Sequence, residues 1–179
     1  MSKPLKPRLP QVDLERVVIP VPGRVGFEVH YKLVAEPAHP DSRKLLEHWK
    51  ERQEGGGFVV GRHIPSRALS KLLHGIAVLE PLSNGDDCWT RLAGSTLRRR
   101  FGQEITSKRY SEYLPPEVVA AHASFWRPVL STGEPRIYSA TEYERDQPRL
   151  HWEVVLLRIL ARDEKSFWLM SGTYYLNGA

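Results

Sequence analysis

The stretch from Ile76 to Leu114 restricts this chain more than any other. An apolar strand, IAVLEPL, meets the turn SNGD and a second strand, DCWTRLAG; the short helix STLRRRFG and the segment EITSKRYSEYL follow directly. Asn84-Gly85 between two apolar runs signals a hairpin, because both residues tolerate positive φ. A hairpin that breaks at Gly94 into tightly wound helical turns builds a cup against its own sheet, and a cup can hold a small molecule.

The rest of the chain supplies the walls. Residues 1–16 are rich in proline and charge and read as a mobile start. Val17–Val21 is apolar but carries Pro20, and Pro22-Gly23 is a turn signal. Phe27, Val29, Tyr31 and Leu33 then alternate with Glu28, His30 and Lys32, the period of a half-buried strand. That strand must pair with an edge of its own sheet or with that of a second copy. Ser42 caps a helix to about Gln53, with Leu45, Leu46 and Trp49 on one face. Gly55-Gly56-Gly57 stops it. With no strand before and no Gly-Lys-Ser/Thr after, this triple glycine reads as a link and not a phosphate loop. A shorter helix is expected from Ser66 to Leu73.

Pro115-Pro116 opens the best helix, since proline suits a first turn whose N–H groups are unpaired anyway. Val118, Val119, His122, Phe125, Trp126, Val129 and Leu130 make one stripe at helical period. Pro128 is expected to bend the last turn and Gly133 to cap it. Three strands follow: Arg136–Glu144, Leu150–Leu160 and Phe167–Leu176, joined at Gln147-Pro148 and Asp163-Glu164-Lys165. Val154–Leu157 is apolar on both faces. Helices grouped between antiparallel strands mean an α+β fold. Residues 1–41 read as an extension and 42–179 as a single domain.

Composition narrows the class. The 179 residues are 41% hydrophobic, with five Trp and seven Tyr, enough for a real core, and carry a net charge of +5. The single cysteine, Cys88, excludes an intramolecular disulfide and suits a reducing compartment. The first twenty residues lack the apolar run of a signal peptide, and no run of about 18 apolar residues exists. The chain is read as soluble and cytoplasmic. It contains no H-E-x-x-H, C-x-x-C, G-x-S-x-G or glycine-rich phosphate loop, so no catalytic or metal-binding residue is assigned.

This order of elements resembles the PAS fold, in the branch of small stand-alone bacterial PAS-like proteins. The matching positions are Trp49, Gly55, Arg62, Leu72 and Leu73, then the blocks Arg91-Leu92-Ala93-Gly94-Ser95 and Phe101-Gly102 with Glu104-Ile105-Thr106. The resemblance covers about residues 42–175, and the two blocks are its specific part. Ser107 departs from the pattern, which often has glycine there, and residues 1–40 match nothing in it. The resemblance implies a five-stranded antiparallel sheet with helices packed on one face, to which the reading of the residues adds an N-terminal strand and helix. It also implies a sensory or interaction module, often a homodimer, that binds a small molecule or a partner protein. No kinase, cyclase or DNA-binding segment is attached, so the signal would pass through another protein. Fold alone does not fix function.

Within that frame His122 is the residue to test first. It interrupts an apolar stripe and should face the cup, either as a core histidine satisfied locally or as a ligand contact. The resemblance places it on the helix that carries the iron ligand in haem-binding relatives, but nothing else here points to haem. Cys88 lies in the hairpin and not in the helical turn that flavin photosensors require. No cofactor is assigned. Phe125 and Trp126 share the stripe of His122. Tyr143, Trp152, Glu153 and Arg158 sit on strands flooring the cup; Trp152, Val154, Leu156 and Arg158 share one strand face, and His151 and Glu153 the other. A buried Arg158 would need an anionic partner, such as a ligand carboxylate, unless it is solvated at a strand end. His151 and Glu153 could act as an acid–base pair.

Arg98, Arg99, Arg100, Lys108 and Arg109 stand against Glu104 alone over residues 95–110. This is a basic patch, or a solvated helix face. The exposed aromatics or recognition helix of a nucleic-acid reader are missing. Three readings therefore stand in order: a non-catalytic sensory module; a structural adaptor with a filled cup, its N-terminal strand and 42–53 helix forming the interface; and a binder of nucleic acid or an anionic surface through residues 98–109.

Overall fold

The computed structural model describes residues 16–82 and 84–177. The proline- and charge-rich start, apart from Arg16, lies outside them. In chain order the elements are strands β1 (Arg16–Pro20) and β2 (Phe27–Val34), helix α1 (Pro40–Glu54), strands β3 (Ile76–Pro81) and β4 (Cys88–Ala93), helix α2 (Ser95–Phe101), helix α3 (Pro116–Thr132), and strands β5 (Arg136–Glu144), β6 (Gln147–Leu160) and β7 (Phe167–Asn177). Short 3₁₀ turns occupy Arg67–Leu69, Leu73–Gly75 and Tyr110–Glu112.

The strands form one antiparallel sheet in the order β1-β2-β5-β6-β7-β3-β4. The expected five strands are β3 to β7. The sheet is larger by two, because β2 pairs with the outer edge of β5 over its whole length, from Phe27↔Glu144 to Val34↔Ile137. The early strand thus covers an edge of its own sheet. β1 folds back on β2, Val18 opposite His30.

Strand periodicity divides the apolar residues between two faces. One face carries Tyr31, Ala77, Leu79, Tyr138, Ala140, Trp152, Leu156 and Leu169 and receives α2 and α3. The other carries Ile76, Val78, Ile137, Val155, Leu157, Ile159, Met170 and Tyr174 and is closed by Leu45, Leu46 and Trp49 of α1, with Phe58, Ile64 and Leu69. Both faces are covered at Val154–Leu157, as the apolar run there requires.

Several element ends differ from expectation for identifiable reasons. Helix α1 starts at Pro40, not Ser42. Its cap is His39, whose Nδ1 accepts from the Asp41 N–H at 3.0 Å, and Ser42 is buried in the first turn. The Glu153 carboxylate, 2% exposed, accepts from the Ala38 and His39 N–H groups at 2.5 and 3.0 Å. It therefore anchors the start of α1 to the sheet, and the pairing with His151 does not occur: the His151 ring bonds Ser139 Oγ at 2.9 Å. The helix expected over Ser66–Leu73 is two 3₁₀ turns, and Ser66 makes no cap bond. Helix α3 carries through Pro128 to Thr132 and ends on Gly133, φ 77°, whose N–H reaches the Val129 carbonyl. The β5–β6 turn is Arg145-Asp146, both at positive φ (45° and 68°), so β6 begins three residues early at Gln147.

The motif residues have physical reasons. Gly94 passes its backbone between two carbonyls; a Cβ there would lie 2.2 Å from the oxygens of both Leu73 and His74. Its N–H bonds the Ile76 carbonyl at 2.8 Å, which ties the end of β4 to the start of β3. Ser107, the departure from glycine, sits at φ 63°, a conformation glycine adopts freely.

Candidate functional site

The sheet face under α2 and α3 is not filled. A cavity of about 80 Å³ lies between them. Its floor is Ala77, Leu79, Trp152, Val154, Leu156, Ser171 and Thr173, with Tyr31 at the β2 side. Helix α2 contributes Leu97, Arg100 and Phe101 at i, i+3 and i+4. The segment after it brings Ile105, Tyr110 and Tyr113, and α3 brings His122, Phe125 and Trp126.

The rings brace one another. Tyr31 and Phe125 centroids are 5.1 Å apart, Phe125 and Tyr138 4.5 Å, and Tyr110 meets Trp126 edge-on at 5.1 Å. Trp126 is held by its indole N–H, which donates to the Gly85 carbonyl at 2.8 Å; the Asn84-Gly85 turn thus reaches α3. Tyr113 shares a 3.0 Å hydrogen bond with Thr90. Burial raises the phenol pKa values of Tyr31, Tyr110 and Tyr113, so all three stay neutral.

His122 stands among Tyr31, Tyr110 and Phe125, at 6.1, 5.9 and 6.0 Å between centroids. Desolvation, with the nearby Arg100 charge, lowers its pKa to about 4, so the imidazole is neutral at pH 7. No side chain or carbonyl among the described residues hydrogen-bonds it. Arg100 turns inward beside it: its guanidinium carbon lies 4.0 Å from the Trp152 ring centroid, and Nη1 donates to the Tyr175 hydroxyl at 3.0 Å.

The cavity opens into a groove of about 400 Å³, sharing Tyr31, Arg100, Phe101, Tyr113 and His122 with it. The outer wall of the groove is the N-terminal pair of strands, through Ile19, Val21 and Val29. Glu142, 4% exposed, faces the groove and is paired with Arg24 at 2.9 Å; Arg24 in turn covers the Phe27 ring. A second groove, of about 520 Å³, meets Arg100 and Tyr175 from the side of His39, His74 and Arg99.

Comparison with protein families decides what kind of module this is. The family model for the PAS domain matches residues 37–173. The chain belongs to the PAS domain family. Comparison with curated proteins and with solved structures returns no match. As a PAS domain the chain is a sensory and signalling module, and its family blocks fall where the geometry needs them, Gly94 at the crossing and Phe101 and Ile105 in the cavity wall.

Of the residues singled out from the sequence, the PAS domain brings His122, Phe125, Trp126 and Trp152 together in the cavity. Tyr143 is elsewhere: a β-bulge at Glu142/Tyr143 precedes it, and its ring packs on His30 at 4.6 Å, outside the cavity lining. Arg158 shares the face of Trp152 but sits beyond the cavity, where Nη1 donates to the Leu130 carbonyl at 3.0 Å. It caps the end of α3 and covers the Phe167 ring at 4.0 Å, so a helix carbonyl takes the place of an anionic ligand.

The basic residues meet different partners. Arg98 pairs with Glu104 at 3.3 Å and Arg109 with Glu112 at 3.6 Å; Lys108 donates to Gln103. Arg99 lines the second groove, and Arg100 belongs to the cavity. Tyr31, Tyr110 and Tyr113 were not visible as site residues from the sequence. For Arg100 a signal exists, since Leu97, Arg100 and Phe101 share one helical face. Among the described residues no three His, Cys, Asp or Glu side chains gather as a metal would require.

Proposed function

We propose that this PAS domain senses a small ligand held between its sheet, α2 and α3, and relays the event to another protein or to a second copy. The observation that carries this reading is the lining of the cavity. Rings stand on its walls, and Arg100 and a neutral His122 are turned inward with hydrogen-bonding capacity unused. The N-terminal strands wall the mouth, so a ligand that moves Arg100 or Tyr31 acts directly on them. In this reading the chain acts without catalysis, and homodimerisation supplies one route of output.

Native mass spectrometry of protein purified from its own host, with an absorption spectrum on the same sample, tests the proposal. The expected result is a retained small mass with no Soret band. Protein that is free of ligand, and that takes up no small molecule in a fragment screen, would favour the adaptor with a filled cup. Light scattering on the same sample checks the homodimer.

A further inference from the structure

We infer that the ligand is a compact aromatic monocarboxylate, with its carboxylate on Arg100 and its ring among Tyr31, Phe125 and Trp152. This deepens the cavity reading above and rests on it.

Three observations lead there. The first is charge. A guanidinium carries five N–H donors; that of Arg100 makes a hydrogen bond to one neutral phenol, Tyr175, and lies against one π-face, Trp152. No carboxylate among the described residues is within ion-pair distance of it. The buried carboxylate of the adjoining groove, Glu142, is already held by Arg24 at 2.9 Å. A cation drawn into an aromatic wall loses hydration, and a bound anion restores the balance through charge-assisted hydrogen bonds, bidentate ones for a carboxylate.

The second is size. A volume of about 80 Å³ is several times the ~10–15 Å³ that one water needs. It is smaller than the ~150 Å³ apolar cavity that takes up benzene, so a ring lodged there reaches with its substituent towards the adjoining groove, where Tyr31, Arg100 and His122 line both spaces. The third is shape and polarity. The Tyr31 and Trp152 rings meet edge-on at 6.4 Å and the Phe125 ring is 5.1 Å from Tyr31, an arrangement that accepts a further ring in offset or edge contact. His122 is uncharged there and adds no second cation, so a single negative charge is matched. Its ring can still hydrogen-bond a substituent.

Benzoate is the probe and benzamide its neutral isostere, titrated into the full chain by calorimetry. Fluorescence of Trp126 and Trp152 provides a second readout. Benzoate is expected to bind at least tenfold more tightly than benzamide. Arg100→Gln should remove at least tenfold of the benzoate affinity and leave that for benzamide unchanged. The benzoate–benzamide contrast is read on the unaltered chain, so it holds even if the variant does not fold. Benzamide binding as tightly as benzoate, or a neutral mass retained in the native spectrum, overturns the carboxylate assignment and leaves the cavity as a ligand site. No binding of either probe, together with no retained mass, overturns both this inference and the reading it rests on.

Discussion

The two faces of this sheet are made by alternate residues of the same strands, and they are built differently. The face under α1 is filled: Leu45, Phe58, Ile64, Ile76, Val155 and Leu157 have no exposed surface at all. Two of its polar groups are engaged, the Trp49 N–H by the Arg158 carbonyl and the Tyr174 hydroxyl by the Leu72 carbonyl, while the buried Ser42 hydroxyl of α1 finds no partner among the described residues. The face under α2 and α3 is walled by rings, keeps a cavity, and turns His122 and Arg100 towards it. Aliphatic side chains interdigitate and close space. Rigid rings propped edge to face leave gaps, and a neutral imidazole in a gap can meet whatever enters. One face is closed by aliphatic packing; the other keeps room beside two polar side chains.

That contrast can be broken at four points, in decreasing size of effect. Phe58→Ala opens a hole in the filled face and should cost about 3–5 kcal/mol in denaturant unfolding. A smaller loss would mean that this face is less tightly closed than its exposure indicates.

The cavity face should betray itself through pH. His122 holds its proton less well folded, with a pKa of about 4, than unfolded, at ~6.5. Its neutral form therefore supports the fold fully above pH 6.5. As pH falls from there towards 4 the unfolded chain takes the proton first, and stability drops by on the order of 2–3 kcal/mol. His48 and His63 are also lowered by burial, so the measurement is the difference between the wild type and His122→Phe in urea midpoints across that range. If the two chains lose stability in parallel, His122 is not in the dry environment described.

Neighbours on β7 give the closest comparison. Gly172 points to the filled face, and a Cβ there would lie 2.4 Å from Leu45 Cδ2 and 2.9 Å from Tyr174 Cε2. Gly172→Ala should cost about 1–3 kcal/mol. Ser171 points into the cavity, so Ser171→Val should change stability by less than about 1 kcal/mol while removing the space for a ligand. Equal costs at the two positions would erase the distinction between the faces. The smallest effect belongs to the surface: Arg98→Ala, which breaks an exposed pair with Glu104, should leave the unfolding midpoint unchanged within error.

Much of this was legible along the chain, and the misses have a common cause. The stripe of α3, the Asn84-Gly85 hairpin, the Gly133 cap and the strand at Phe27 each follow from residues within one or two turns of each other. Ser42 is not the cap because His39, three residues before it, takes that place, in a segment that Glu153, 115 positions from Ala38, ties to the sheet. Arg158 and Arg100 exchanged roles. Arginine in an apolar strand suggests a ligand, but a helix end met Arg158; arginine in a basic run suggests solvent, but Trp152 and Tyr175 met Arg100.

By itself, then, the sequence determined the order of elements, the α+β class, the stripe carrying His122 and the two blocks that mark the PAS family, because turn chemistry and periodicity act over a few residues. The tertiary structure decided which face of β6 is hollow, which arginine looks inward, and that the N-terminal strands wall the mouth. Those outcomes depend on sheet order and on partners such as Arg100 with Tyr175 or Arg24 with Glu142, 75 and 118 residues apart. Side chains that far apart meet only once the strands between them have paired.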